Sequence, residues 1–476
     1  MSITGGTFAV FLLVVLVVYY LLPRRAQNIW LLLASLAFYV TWAQALALAL
    51  AVMIAVNFLL AQRMVTLERT PRRRLMWVGI VFNLMVVLVF KYFDFFVPDF
   101  QALVARVAPL DTPWISSLRI FLPIGLSYRQ LEMISYLVEV NRKQVKPATD
   151  PVDFSLFATW FPKLLAGPIE RYRTFMPRLQ EARRVDGKQF ARGVTLILIG
   201  LVRKLILADI LLIVIPETLF ATPAAFSAGD LFWWGLASGI YLYNDFAGYS
   251  AYVRGVSALF GLEMMQNFRT PMFSRTFAEV WSNWHISLSS WIRDYIYLPM
   301  TRSLIKQFKK TGAALAQVIP SAAAWMVSAV WHGLTAPFLL WGALMGSLQI
   351  LENVPALAGI EVKPMKQRPL WRQVIGNFWV IAIGGMATLP FLLDVPTSVA
   401  VWRRLLTPTW GLPDIRVVLF IAATYGLDYF RFHYGEAFPV EMPRWAQVGA
   451  LGSVLLVLFV VTITDFDTPS FVYQGF

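Results

Sequence analysis

The chain has 476 residues, of which 58% are apolar and only 14% charged, with a formal net charge of +14 and no cysteine. Soluble domains carry about 25% charged residues, so an apolar excess running almost from end to end argues against a string of soluble domains and for a bilayer protein. The missing Cys excludes disulfides, thiolate metal sites and a cysteine nucleophile, and Lys and Arg held against anionic lipid account for the basic charge without nucleic acid.

The first apolar segment, 7–22, is followed by Pro23, Arg24 and Arg25. A cleaved signal peptide has the reverse order, so a retained helix is predicted, with its C-terminal end in the cytoplasm and its N-terminus outside. Further spans are predicted over 28–43, 45–61, 75–92, 117–140, 193–216, 229–260, 311–331, 334–351, 372–393, 415–430 and 446–463. Two more apolar stretches, 152–168 and 278–300, are interrupted by polar residues and are read as re-entrant or interfacial. The basic clusters after the first, third and fifth spans (Arg24 and Arg25; Arg63, Arg69 and Arg72 to Arg74; Arg142, Lys143 and Lys146) all fall on one side. The basic tract from Arg171 to Arg192 joins that side only if 152–168 dips in and returns, and Lys306, Lys309 and Lys310 form another cytoplasmic cluster. No internal repeat or soluble domain interrupts the pattern, so 1–476 reads as a single transmembrane domain.

Polar groups inside apolar segments carry the chemistry, because charge in a bilayer is costly unless it faces a cavity or a partner. Two of the three histidines, His285 and His332, lie in apolar surroundings, while His433 is flanked by charges and is expected in a loop. His332 ends a run of small and apolar residues and is followed by Gly333, which leaves room for a substrate. A neutral imidazole there either takes a proton from a hydroxyl or hydrogen-bonds a neighbouring helix. On a continuous helix Trp281, His285, Leu288 and Ile292 share a face and Asp294 points away. His285 is then either functional or interfacial packing with Trp284 and Trp291. Asp245 and Glu132 are lone carboxylates that orient an imidazole, bind a cation or pair structurally with an Arg, and the last reading is preferred. There is no GxGxxG, Walker loop, HExxH or GxSxG with a triad.

Several blocks, in order, resemble the membrane-bound O-acyltransferase family, and within it the bacterial branch typified by alginate O-acetylases. They are LPIGLSYRQLEMISYLVEV at 122–140, FPKLLAGPIERYRTFMPRL at 161–179, the long block from YNDFAGYSAY to WSNWHISLSSWIRDYIYLP at 243–299, VSAVWHGLTAPFLLWGALMG at 327–346 and the closing PSFVYQGF. The resemblance implies an all-α polytopic fold, a ring of about 11–12 transmembrane helices plus re-entrant or interfacial helices around a central tunnel. It also implies that His332, in the WHG block, is the catalytic residue, with His285 the earlier histidine of the site. Around them Asp245, Trp284, Asp294, Trp331 and Arg171 are the candidate substrate-binding residues, with no metal and no bound cofactor expected.

The implied reaction takes an acyl group, acetyl from acetyl-CoA, from a cytoplasmic thioester to a hydroxyl on the far side of a bacterial inner membrane. The acceptor is a polysaccharide, reached directly or through a periplasmic acyl-relay protein. The basic tract from Arg171 attracts the donor's phosphates or simply faces lipid. Two departures loosen the assignment of donor and acceptor: Ser282 and Asn283 stand where the branch commonly has two polar or basic residues, often Arg-Arg or Asn-Arg, and MTRSLIKQ follows the RDY block in place of a glycine pair and a basic residue. Acetyl or D-alanyl transfer to peptidoglycan or teichoic acid is the alternative within the same chemistry, and a transporter or flippase the alternative outside it.

Overall fold

A computed structural model describes residues 3, 5–43, 46–107, 125–184, 186–361, 363–436, 438 and 452. The expected span 446–463, the closing PSFVYQGF and the first part of 117–140 lie outside the described residues. The described residues form helices and no strand, as a chain must when its backbone polar groups have no water to turn to. Four helices are long and apolar enough to cross a bilayer, at Ala47–Val65, Arg69–Tyr92, Ala314–His332 and Leu370–Leu392. Other predicted spans are helical but are either shorter, such as Gly6–Leu21 and Ala336–Glu352, or carry buried ion pairs, as Ala228–Leu259 does. The chain divides into two compact units, Met1–Asp186 with Leu259–Met264, and Gly187–Ala258 with Met265–Phe476.

The first unit contains α1 (Gly6–Leu21), α2 (Arg24–Ala43), α3 (Ala47–Val65), α4 (Arg69–Val107), α5 (Leu126–Asn141), α6 (Pro151–Thr159) and α7 (Tyr172–Gln180). Asp150 starts α6 by accepting the Val152 N–H, with Pro151 in the first turn where its missing N–H costs nothing. The stretch 152–168, expected to be interrupted, is indeed a nine-residue helix followed by a 3-10 turn at Phe161–Lys163. The lone carboxylate Glu132 explains how that turn is held. Lys163 Nζ donates to both of its oxygens at 2.6 and 2.8 Å, Arg129 Nη1 donates at 3.0 Å and the Glu170 N–H at 2.9 Å. The charges are fully buried, so the preferred pairing role for Glu132 is the one its surroundings describe. A charge removed from water stays charged only with such partners.

In the second unit α8 (Gly187–Leu201) runs into a π-helical segment, Val202–Asp209, and packs against the 32-residue α9 (Ala228–Leu259). The contact uses pairs of glycines two turns apart. A β-carbon on Gly200 would lie 2.7 Å from the Gly248 carbonyl oxygen, and one on Gly255 2.6 Å from that of Gly193. Small residues let helix backbones touch where no hydrophobic force drives helices together. Besides the short helices Ile210–Val214, Val354–Leu357 and Leu389–Leu392, this unit also contains α10 (Phe277–Asn283), α11 (Ile286–Ile292), α12 (Leu298–His332), α13 (Ala336–Glu352), α14 (Leu370–Ala387), α15 (Val395–Leu405) and α16 (Ile415–Tyr434). α12 is broken at Lys309, whose φ of 48° and ψ of −118° are not helical.

Candidate active site

His332 is the last residue of α12. Gly333 follows because a β-carbon there would strike the Phe338 ring at 2.6 Å, so the chain turns at once into α13. The α12–α13 hairpin is pinned by Trp325 Nε1 donating to Gln349 Oε1 at 2.6 Å.

The helix on which Trp281, His285, Leu288 and Ile292 would share a face is broken at His285, and this corrects the shared-face argument. His285 has φ 45° and ψ 51°, the left-handed region, and separates α10 from α11. For a residue with a β-carbon that conformation costs roughly 1–2 kcal/mol. Trp281, His285 and Leu288 nevertheless line one cavity, because the break re-aims the chain between them. α10 starts on two caps. Thr276 accepts the Glu279 N–H at 3.0 Å, and the Glu352 carboxylate at the end of α13 accepts the Phe277 N–H at 2.8 Å.

Both histidines are almost wholly buried and face a cavity of about 140 Å3 within the second unit. Their ring centroids are 6.4 Å apart. Aromatic rings fix each imidazole: Phe246 stands 4.8 Å from His285 at 88°, and Phe391, Trp331 and Trp341 lie 4.9, 4.8 and 5.6 Å from His332. No charged side chain is among the described lining residues, and the polar groups besides the histidines include Ser289, Ser328 and Thr388. An uncharged, largely apolar chamber with two imidazoles is suited to moving a proton off a hydroxyl while keeping water from a reactive acyl group. Among the described residues no cluster of His, Asp and Glu is arranged to hold a metal.

The other candidates divide. Trp284 lines the cavity, and Trp331 contacts both imidazoles, 5.7 Å from that of His285. Asp245 is not among the lining residues; it accepts from Lys204 Nζ at 2.8 Å, both groups buried. Asp294 pairs with its neighbour Arg293 at 2.8 Å in the π-helical segment Arg293–Tyr297. Arg171 belongs to the first unit, where it precedes α7 and its Nη1 donates to the Ile169 carbonyl at 3.2 Å. Phe246, Trp341 and Phe391 were not marked by the sequence, since nothing distinguishes a ring that touches an imidazole from one that packs in a core.

On the other side of α10 lies a polar recess of about 700 Å3, lined by Arg269, Arg275, Lys366 and Arg431 together with Glu279 and Glu436. Phe277, Val280 and Trp281 face the apolar cavity while Ala278, Glu279 and Ser282 face the recess, so one short helix separates the two.

Residues 127–391 match the family model of MBOAT, the membrane-bound O-acyltransferase family. Over 388 residues, 81% of this chain and 74% of the relative, the chain is 31% identical to the probable alginate O-acetylase of Azotobacter vinelandii. With that of Pseudomonas putida it shares 27% identity over 97% of this chain and 96% of the relative. With the peptidoglycan O-acetyltransferase of Helicobacter pylori it shares 26% over 69% and 66%. Both histidines fall within the matched region, and the chain belongs to the membrane-bound O-acyltransferase family, as a multi-pass membrane enzyme that transfers acyl groups to oxygen.

Proposed function

We propose that this enzyme moves an acetyl group from acetyl-CoA, on the cytoplasmic side of a bacterial inner membrane, to a hydroxyl of an extracytoplasmic polysaccharide of the alginate kind, directly or through a periplasmic relay protein. The observation that carries this reading is the pair of buried imidazoles on one uncharged cavity, 6.4 Å apart. The names of the relatives, two alginate O-acetylases and a peptidoglycan O-acetyltransferase, support an acetyl donor and a glycan acceptor.

In this reading His332 takes the proton of the acceptor hydroxyl as its oxygen attacks the thioester carbonyl. The new O–C bond forms, the C–S bond breaks, and the proton passes to the departing thiolate. His285, whose ring centroid is 6.4 Å from that of His332, orients the reacting carbonyl or donates to the developing oxyanion. The basic recess beside α10 suits the donor's phosphates better than Arg171 does, because only α10 separates it from the cavity. The excess of Lys and Arg around the recess supports a cytoplasmic position for that face.

The test uses purified full-length protein in lipid discs with radiolabelled acetyl-CoA and a panel of glycans, alginate and peptidoglycan fragments included. The expected result is a base-labile labelled ester whose rate falls about 10²–10⁴-fold in His332→Ala. An unaltered rate in that variant, or no product on any acceptor from folded wild-type protein, overturns the proposal.

A further inference from the structure

We infer that Asn267 is the positioning residue for His285, clamping the helix break that aims the imidazole into the cavity. This rests on the reading above in one respect, that His285 works in the cavity.

His285 sits in the left-handed region between two helices of seven residues each. A seven-residue helix such as α10 does not sustain itself, and although α11 continues through Arg293–Tyr297 into α12, the turn that joins α10 to it needs an external holder. The side chain of His285 does not cap α11, and the opening N–H groups of that helix have no partner within it. Asn267 supplies two. Its backbone carbonyl accepts the Ile286 N–H at 2.9 Å, and its side-chain Oδ1 accepts the Ser287 N–H at 3.2 Å. Two residues on, the Arg269 N–H donates to the carbonyl of Asn283, the last residue of α10, at 3.0 Å. The segment 266–269 therefore grips the chain on both sides of Trp284 and His285. Between the two grips Phe268 lies against the rings of Trp284 and Phe246, at 5.2 and 5.1 Å, and Phe246 in turn backs His285.

Asn267 is fully buried and is not among the residues lining the cavity. Its hydrogen bonds reach the backbone of the two residues that follow His285. Its side chain matters because the carbonyl alone fixes one N–H, and one bond leaves the chain free to pivot about it. The second bond fixes the direction in which α11 leaves, and with it the direction of the imidazole. A leucine of similar size at 267 strands the Ser287 N–H in a buried site, whereas an aspartate keeps the acceptor.

The experiment compares full-length Asn267→Leu, Asn267→Asp, His285→Ala and the double variant His285→Ala/Asn267→Leu, with radiolabelled acetyl-CoA and alginate as the acceptor. Thermal unfolding of each is followed in parallel. Asn267→Leu is expected to lower kcat tenfold or more with the KM for acetyl-CoA within twofold, and Asn267→Asp to recover to within threefold of wild type. On the His285→Ala background Asn267→Leu is expected to cost less than twofold, because the group it positions is gone. If Asn267→Leu does not fold, Asn267→Ser, which is too short to reach the Ser287 N–H, takes its place in the same comparison. Equal losses with and without His285, equal losses in the Asp and Leu variants, or a wild-type rate in Asn267→Leu overturn the inference while the histidine reading stands. A wild-type rate in His285→Ala overturns both.

Discussion

The ring of Phe246 stands edge-on to the imidazole of His285, with centroids 4.8 Å apart and planes at 88°. Neighbouring residues on a helix point about 100° apart, so the rotation of α9 that sets Phe246 on His285 turns Asp245 elsewhere, onto Lys204 at 2.8 Å. Asn244 is bonded to Arg203 Nη1 at 2.7 Å and to Thr424 at 2.9 Å. Tyr243, which lines the cavity, donates to Asp428 at 2.8 Å. Four consecutive side chains thus lock one helical register, and the polar ones act on the site through the two aromatic ones.

Asp245 is accordingly expected to matter for folding and not for substrate contact. Asp245→Leu removes one partner of a buried pair, which costs about 3 kcal/mol or more, tempered here by the bond Lys204 keeps to Asp209 at 2.8 Å. Asp245→Asn retains an oxygen acceptor and is expected to cost about 1–2 kcal/mol. Thermal unfolding checks both. Activity per folded molecule of Asp245→Asn should stay within threefold of wild type, and a hundredfold loss in a protein that still folds would return Asp245 to the substrate.

The histidine pair was legible in the sequence because each sits in an apolar block with matching neighbours in a known family. Four of the expected spans were legible from hydropathy as helices long and apolar enough to cross a bilayer. The break at His285 was not. No glycine or proline marks it, and periodicity continues through it, since Trp281, His285 and Leu288 have helical spacing yet meet at the cavity by way of a left-handed turn. What forces the turn is a strap 18 positions earlier, at Asn267, and a pattern read along one helix contains no such partner. Asp245 was half legible. Lone charges at Lys204 and Asp245 in two apolar segments suggest a pair, but only the π-helical segment Val202–Asp209 brings them into register.

The cavity should be closed by one side chain. Gly239 lines it, and a β-carbon there would meet no atom within 4 Å. Gly239→Ala should therefore be tolerated in activity and stabilise α9 by up to about 1 kcal/mol. Gly239→Leu places three further carbons in a space of about 140 Å3, and is expected to lower acyl transfer at least tenfold without lowering the unfolding temperature. By contrast, Gly255→Leu meets the backbone carbonyl oxygen of Gly193 at 2.6 Å from its first carbon and should destabilise the fold. A full rate in Gly239→Leu would mean that the reaction takes place outside this chamber.

A pH dependence of stability follows from Glu436, just beyond α16. Burial alone would raise its carboxyl, but Arg254 Nη1 and Nη2 donate to its two oxygens at 2.6 and 2.8 Å and Arg192 Nη2 donates at 2.8 Å. With Arg431 nearby, they hold it down from the usual 4.5 to about 2. A carboxyl whose folded value is depressed stabilises the protein above its unfolded value, and that stability is lost as pH falls toward the folded value. The glutamate joins the start of α8, the end of α9 and the segment after α16, so its protonation loosens three helices together. The unfolding temperature of the wild type in lipid discs should decline between pH 4.5 and 2 more steeply than that of Glu436→Gln, which should be less stable at pH 7 and nearly flat by comparison over that window. Parallel curves for the two proteins would show that this clamp does not set the acid limit.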